Sequence, residues 1–188
     1  MPIENNIINP TSTEEIPQLS NTDTLPIECV IKCIKALVKK LTPRMQNFKQ
    51  TATSKIFDSQ CILACDYFKL FKRIHNLILQ HDEQNRLSSE DSSWQHQDYF
   101  VGALILFDIA LKSEPDLVYP NCVPRTYLAC LNIFIKFYSD LQFDQKDLAW
   151  AYGISLIDFN KMEFEIYMNV LKGKILVKDE KFTEYKRG

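Results

Sequence analysis

The stretch that decides the fold runs from Pro124 to Ser139 and reads PRTYLACLNIFIKFYS. Its large apolar residues fall on nearly every side of a helix instead of forming one stripe, and they are Tyr127, Leu128, Leu131, Ile133, Phe134, Ile135, Phe137 and Tyr138. A helix that is apolar all round has to be covered by other elements. We therefore predict that this helix lies at the centre of a helical cluster.

The segments on either side also have helical patterns. Apolar residues of the first one recur at three and four positions from Ile27 to Leu41, opposite a row of lysines. Further helices are predicted over about Gln60–Gln80, about Asp98–Lys112, from Asp144 to the closing Gly153, from the cap Ser155 to about Leu171, and for a last turn or two from Asp179. No strand pattern competes with them, so the predicted fold class is all-α.

Polar runs divide the chain. Residues 1–24 lack periodicity and read as a disordered tail, and residues 25–58 as an N-terminal amphipathic helix followed by a linker. Residues 59–188 form the predicted globular unit with a short C-terminal extension. Within it, the run from His81 to Gln97 is predicted to be an exposed loop.

Composition excludes several classes of protein. The chain has 188 residues, 46% of them hydrophobic, and a formal net charge of −2, which does not favour nucleic-acid or membrane partners. The N-terminus lacks the pattern of a secretory signal. The most apolar run, Tyr99 to Phe107, is far shorter than the ~20 residues of a membrane span. We expect a soluble, intracellular protein of the cytoplasm, the nucleus or both.

Six cysteines are present, and two pairs, Cys29/Cys33 and Cys61/Cys65, have the spacing of one helix face. Structural zinc sites usually use tighter spacing on turns. We therefore predict no metal and expect reduced thiols packed as small hydrophobic groups.

The residues from Asn121 to Leu176 carry a family resemblance. The motifs occur in the order Arg125, Lys136-Phe137, Asp140, Trp150-Ala151, Gly153-Ile154-Ser155 and Asn160-Lys161-Met162-Glu163, with Asp66-Tyr67, Lys72-Arg73-Ile74 and Leu106-Phe107-Asp108 upstream. This arrangement resembles the cyclin box, and it is most similar to the single-box P-type cyclins related to yeast phosphate-signalling cyclins. The resemblance covers about Gln60 to Phe182.

The resemblance implies five helices around a buried central one, preceded here by an extra N-terminal helix. It also implies a non-catalytic regulatory subunit that binds and activates a cyclin-dependent protein kinase, without a cofactor or a small-molecule substrate. It does not choose among cell division, phosphate sensing and transcription.

The resemblance assigns roles to Lys136, Glu163, Arg73 and Asp108, and the helical spacing adds Tyr167 as a candidate. Lys136 and Glu163 correspond to the cyclin pair that contacts the kinase, although the pattern by itself favours an edge lysine whose stem covers apolar surface. Tyr167, one turn after Glu163, is either a further kinase contact or an ordinary core tyrosine. Arg73 and Asp108 correspond to a buried salt bridge between the first two box helices, the alternative being two unrelated surface charges.

The chain departs from the family in places. Lys172 stands where a large apolar residue is usual, and Pro124 stands where a histidine is usual. Two alternatives to a cyclin stay open: a cyclin-fold scaffold acting in transcription, or a helical adaptor that binds peptides. A nucleic-acid scaffold should show a basic stripe, whereas the main basic cluster, on the first helix, reads as a solvated face. No enzyme motif is recognisable.

Overall fold

The computed structural model describes residues 25–43, 49–58, 67–86, 96–138 and 144–187. All regular elements there are helical, which confirms the all-α prediction. The helices are α1 (Leu25–Leu41), α2 (Ala52–Phe57), α3 (Tyr67–Arg86), α4 (His96–Ser113), α5 (Val123–Tyr138), α6 (Gln145–Tyr152), α7 (Leu156–Phe164) and α8 (Asp179–Arg187). A 3-10 turn at Pro115–Leu117 precedes α5, and a wide π turn at Glu165–Val170 continues α7.

Helix α5 lies in the core, as the apolar pattern predicted. Its residues from Thr126 to Ile135 are all buried, and α4 packs along it more extensively than any other helix. Gly102 marks the closest approach of the two helices: a Cβ atom there would lie 2.1 Å from the Phe134 ring. Two turns earlier on α5, Tyr127 packs between the rings of Phe71 and Phe107.

Helix α1 lies against α4, α3 and α5 through one face, which includes Val30, Ile31 and Ile34. This confirms the predicted amphipathic helix. Our prediction of packed thiols was wrong for Cys29 and Cys33, which are exposed because they lie on the lysine-bearing side of α1. It was right for the buried Cys122 and Cys130, whereas Cys61 and Cys65 lie outside the described residues.

Two polar segments contain more helix than we predicted. The linker expected up to residue 58 includes α2, because Thr51 and Ser54 form a capping box and Phe57 is fully buried. The loop predicted from His81 to Gln97 also includes helix at both ends, because α3 continues to Arg86 and α4 begins at His96. The tail predicted over residues 1–24 lies outside the described residues.

The predicted ends of α6 and the predicted start of α7 are confirmed. The sequence predicted one helix to about Leu171, whereas α7 ends at Phe164 and the π turn continues the helical run to Val170. Gly153 ends α6 in the left-handed conformation, with φ 66°, and the Ser155 side chain accepts from the backbone N–H of Asp158 at 3.1 Å. No described helix combines the length and apolar character that crossing a bilayer requires.

Candidate functional site

Lys136 and Glu163 form an ion pair that joins α5 to α7. The Lys136 Nζ atom lies 2.5 Å from Oε1 and 2.6 Å from Oε2 of Glu163, although the residues are 27 positions apart in the chain. The two side chains are 33% and 21% exposed, so the pair lies at the edge of the core within reach of a partner. Sequence reasoning selected both residues but did not predict that they bond to each other.

Two neutral side chains hold Glu163 in place. Asn132, fully buried on α5, donates through Nδ2 to Glu163 Oε2 at 2.8 Å. Gln145, in the first turn of α6, donates to the same oxygen at 3.2 Å. Three helices therefore meet at one carboxylate, which fixes its position better than a lone surface ion pair would.

The bonding pattern leaves capacity for a partner. An ammonium group has three donor hydrogens, and a carboxylate oxygen has two lone pairs. Glu163 Oε2 accepts from three side chains, whereas Oε1 accepts from Lys136 only, among the described residues. The pair can therefore offer a lone pair on Oε1 to an N–H group and an N–H of Lys136 to a carbonyl oxygen.

Apolar side chains border the ion pair. Phe137, next to Lys136, is 50% exposed and stacks on Tyr167 with the ring centroids 5.3 Å apart. Phe164 and Met168 are exposed on the outer side of α7 and of its wide turn. This combination of a rigid charge pair with exposed aromatic surface is typical of the centre of a protein interface.

A groove of about 430 Å³ lies beside Phe137 and is lined by Phe137, Tyr138 and residues 173–176. Leu176 is 81% exposed there. The Tyr138 hydroxyl holds the segment in place, donating to the carbonyl of Ile175 at 3.0 Å and accepting from the N–H of Val177 at 2.7 Å. We call the ion pair, the exposed aromatic residues beside it and this groove the α5–α7 face.

The predicted salt bridge between Arg73 and Asp108 is not formed. Arg73 is exposed, and its guanidinium lies over the Trp150 ring, 4.6 Å from the centroid. Asp108 is half-buried and pairs with Lys112, one turn further along α4, at 2.6 Å. Each residue therefore has another partner, because Arg73 lies on the side of α3 that faces α6.

Tyr185, on α8, is a second partner of Asp108. Burial, followed by the negative charge of Asp108 and a hydrogen bond to it, raises the pKa of Tyr185 to about 12. Asp108 therefore helps to attach α8 to α4, in place of the predicted role between α3 and α4.

Sequence reasoning missed three residues of these clusters. Asn132 had a recognisable signal, since it is a polar residue in an otherwise apolar, buried helix and has to find a partner. Gln145 had no signal, and Trp150 was recognised only as part of a family motif, because the contacts of both depend on how α6 packs against its neighbours.

Comparisons with known proteins do not identify the chain. No protein-family model matches it, and no curated protein matches it either. In the described part of the chain, no group of three or more histidine, cysteine or acidic residues is placed to hold a metal ion. The function has to be argued from the α5–α7 face and from the resemblance of its residues.

Proposed function

We propose that this protein is a cyclin: a regulatory subunit that binds a cyclin-dependent protein kinase through the α5–α7 face and activates it. The observation that carries the proposal is the Lys136–Glu163 pair, because the two residues that the cyclin resemblance selects lie in contact. The resemblance was built from separated motifs and did not use this contact.

The arrangement of helices also supports the proposal. Five helices, α3 to α7, include a central one, α5, that is buried almost all round. Helix α1 packs outside this group as the extra N-terminal helix that we expected. A buried central helix among five, preceded by an extra helix, is what the resemblance to a single cyclin box implies.

The proposed mechanism is binding without chemistry. Lys136 and Glu163 hold backbone carbonyl and N–H groups of the kinase beside its regulatory helix, using the hydrogen-bonding capacity described above. The exposed rings of Phe137 and Phe164 then lose contact with water as the kinase covers them. Docking keeps the regulatory helix where its glutamate pairs with the lysine of the ATP site, so the active state gains population.

Lys172 does not have to supply the apolar contact that the family usually has at that position. It is exposed, with a φ of 52°, and ends the wide turn together with Gly173. In this proposal, the apolar surface comes instead from Phe137 and from Leu176 at the groove.

The test is capture of the kinase by the full-length protein from a lysate of its own organism. Lys136→Ala and Glu163→Gln are compared with the wild type, and Lys112→Ala serves as the control because it breaks an exposed ion pair elsewhere. We expect the wild type and the control to retain a cyclin-dependent kinase, identified by mass spectrometry, and both site variants to lose most of it. The captured kinase, purified with and without the protein, should be active only in its presence.

Equal retention by all variants would refute the assignment of the α5–α7 face, and capture of no kinase would refute the proposed function. Circular dichroism of each bait distinguishes loss of binding from loss of the fold.

A further inference from the structure

Helix α1 carries two thiols on its outer side. Cys29 and Cys33 are both exposed and lie four positions apart, about one helical turn. On the other side of α1, the apolar residues Val30, Ile31 and Ile34 are buried. Contact with α3, α4 and α5 therefore fixes the backbone that carries the two thiols. We call Cys29 and Cys33 the α1 dithiol.

Helical geometry keeps the α1 dithiol from closing into a disulfide. Residues four apart on a helix have Cβ atoms about 5–6 Å apart, whereas a disulfide needs Cβ atoms about 3.5–4.5 Å apart. The bond would therefore require α1 to unwind away from its buried contacts. The two thiols stay available to an external ligand that bridges a wider gap.

A linear sulfur–metal–sulfur unit matches this spacing. Metal–thiolate bonds of about 2.3 Å place the two sulfur atoms about 4.6 Å apart, and side chains whose Cβ atoms are about 5–6 Å apart can reach that separation. Within the described residues, no third histidine, cysteine or acidic side chain joins the dithiol in a metal-binding group. Structural zinc takes four ligands, so two thiolates alone suit monovalent copper, a soft ion that thiolates select.

Lysines on the same side of α1 balance the charge of such a complex. Two thiolates and one Cu⁺ ion together carry a single negative charge. Lys32, which precedes Cys33, is exposed on that side, as are Lys39 and Lys40 further along the helix. Nearby positive charge stabilises an anion. Glu28, in the first turn of α1, opposes this effect, but the three lysines outnumber it.

We propose that the α1 dithiol binds one monovalent copper ion in linear two-coordination. Each thiol loses a proton and its sulfur forms one bond to Cu⁺, so two protons are released and no electron is transferred. Our prediction of no metal considered a four-thiolate zinc site and expected packed thiols, whereas these two thiols are exposed. The inference does not depend on the proposed kinase, since it uses no residue of the α5–α7 face.

The test is an anaerobic titration of the full-length protein with Cu⁺ in competition with bathocuproine disulfonate, whose copper complex is coloured. Every sample carries Cys61→Ser and Cys65→Ser, because these two cysteines have the same spacing in the sequence. We expect one Cu⁺ per chain, with two sulfur neighbours by X-ray absorption, and an affinity that rises with pH as protons are released. Cys29→Ser and Cys33→Ser should each weaken binding by at least about a hundredfold, since one thiolate remains.

The matched control moves one thiol along the same side of α1. Cys33→Ser/Ala36→Cys keeps two cysteines at exposed positions, because Ala36 is exposed and lies two turns after Cys29. Its thiols are separated by about 10 Å along the helix axis, at ~1.5 Å per residue, which one ion cannot bridge. This control should bind copper no better than Cys33→Ser does. Circular dichroism of each variant checks that the helices are retained.

Equal affinity of this control and of the chain with Cys29 and Cys33 would overturn the proposal, as would copper binding that survives both serine substitutions. Displacement of the copper by Zn²⁺ at equal concentration would refute the assigned ion. Copper-dependent dimerisation, measured by light scattering, would assign the ion to thiols of two chains and refute the site within one chain.

Discussion

Replacing Glu163 by alanine should destabilise the protein more than replacing Lys136, although the two residues form one ion pair. The reason lies in what each change leaves behind. Without Glu163, the amide Nδ2 of Asn132 loses its acceptor in a fully buried position. Without Lys136, the carboxylate keeps its hydrogen bonds from Asn132 and Gln145 and stays partly in contact with water.

The magnitudes follow from these contacts. A buried donor left without a partner costs about 1–3 kcal/mol, whereas a partly exposed ion pair contributes about 0–1 kcal/mol after solvent screening. We expect Glu163→Ala to lower the free energy of unfolding by about 2 kcal/mol and Lys136→Ala by less than ~1 kcal/mol. Glu163→Gln should fall between them, because its amide oxygen can still accept from Asn132.

Urea unfolding followed by circular dichroism measures these differences. The second variable is Asn132. In an Asn132→Ala background the Glu163→Ala change leaves no fully buried amide without its acceptor, so its cost should fall by at least about 1 kcal/mol. Equal costs for Lys136→Ala and Glu163→Ala, or an unchanged cost of Glu163→Ala in that background, would refute the reasoning. The result also decides which variants suit the kinase experiment, since Glu163→Ala mixes loss of stability with loss of the docking charge.

Three other predictions concern the fold. Gly102→Ala should lower the free energy of unfolding by about 2 kcal/mol or more, since overpacking against Phe134 outweighs the better helix propensity of alanine. In a Phe134→Leu background the same change should cost much less in urea unfolding, and equal costs would contradict the close approach of α4 and α5. Gly153→Ala should lower the thermal midpoint through a cost of about 1 kcal/mol, because φ is 66° there; an unchanged midpoint would argue against that turn. Iodoacetamide should modify Cys29 in the native protein but Cys130 only after unfolding, since burial raises the pKa of Cys130 and blocks access to it. Peptide mass spectrometry measures the modification of both thiols, and comparable modification rates in the native protein would contradict the placement of α5.

The fold class was predictable because burial leaves a direct trace in the composition of a helix. The apolar run around Phe134 has to be surrounded, and the single-faced pattern that includes Ile34 has to lie on a surface. The helix ends at Gly153 and Ser155 were predictable for a local reason, since caps use hydrogen bonds within one turn.

The contacts between helices were less predictable. Arg73 has Trp150 as its partner instead of Asp108, which depends on how α3 rotates toward α6 and leaves no local signal. Helix α2 was missed because its six residues read as polar linker, although its capping box could have indicated it. In the candidate site, the family resemblance selected Lys136 and Glu163, whereas their bond to each other and the donor from Gln145 follow from how the helices pack.

The wide turn at Glu165–Val170 affects how this chain is compared with other helical proteins. Its N–H groups reach back five positions, as from Leu171 to the carbonyl of Ile166 at 2.8 Å, so the turn holds one more residue than an α-helical turn. Each residue of an α-helix advances the side-chain direction by about 100°. Counting positions from Glu163 to Lys172 as if the helix were regular therefore predicts the wrong direction for the Lys172 side chain. A one-residue deletion in the turn would rotate the residues from the turn to Leu176 about the axis of α7. Side chains beyond the turn are comparable between proteins by direction in space and not by sequence separation.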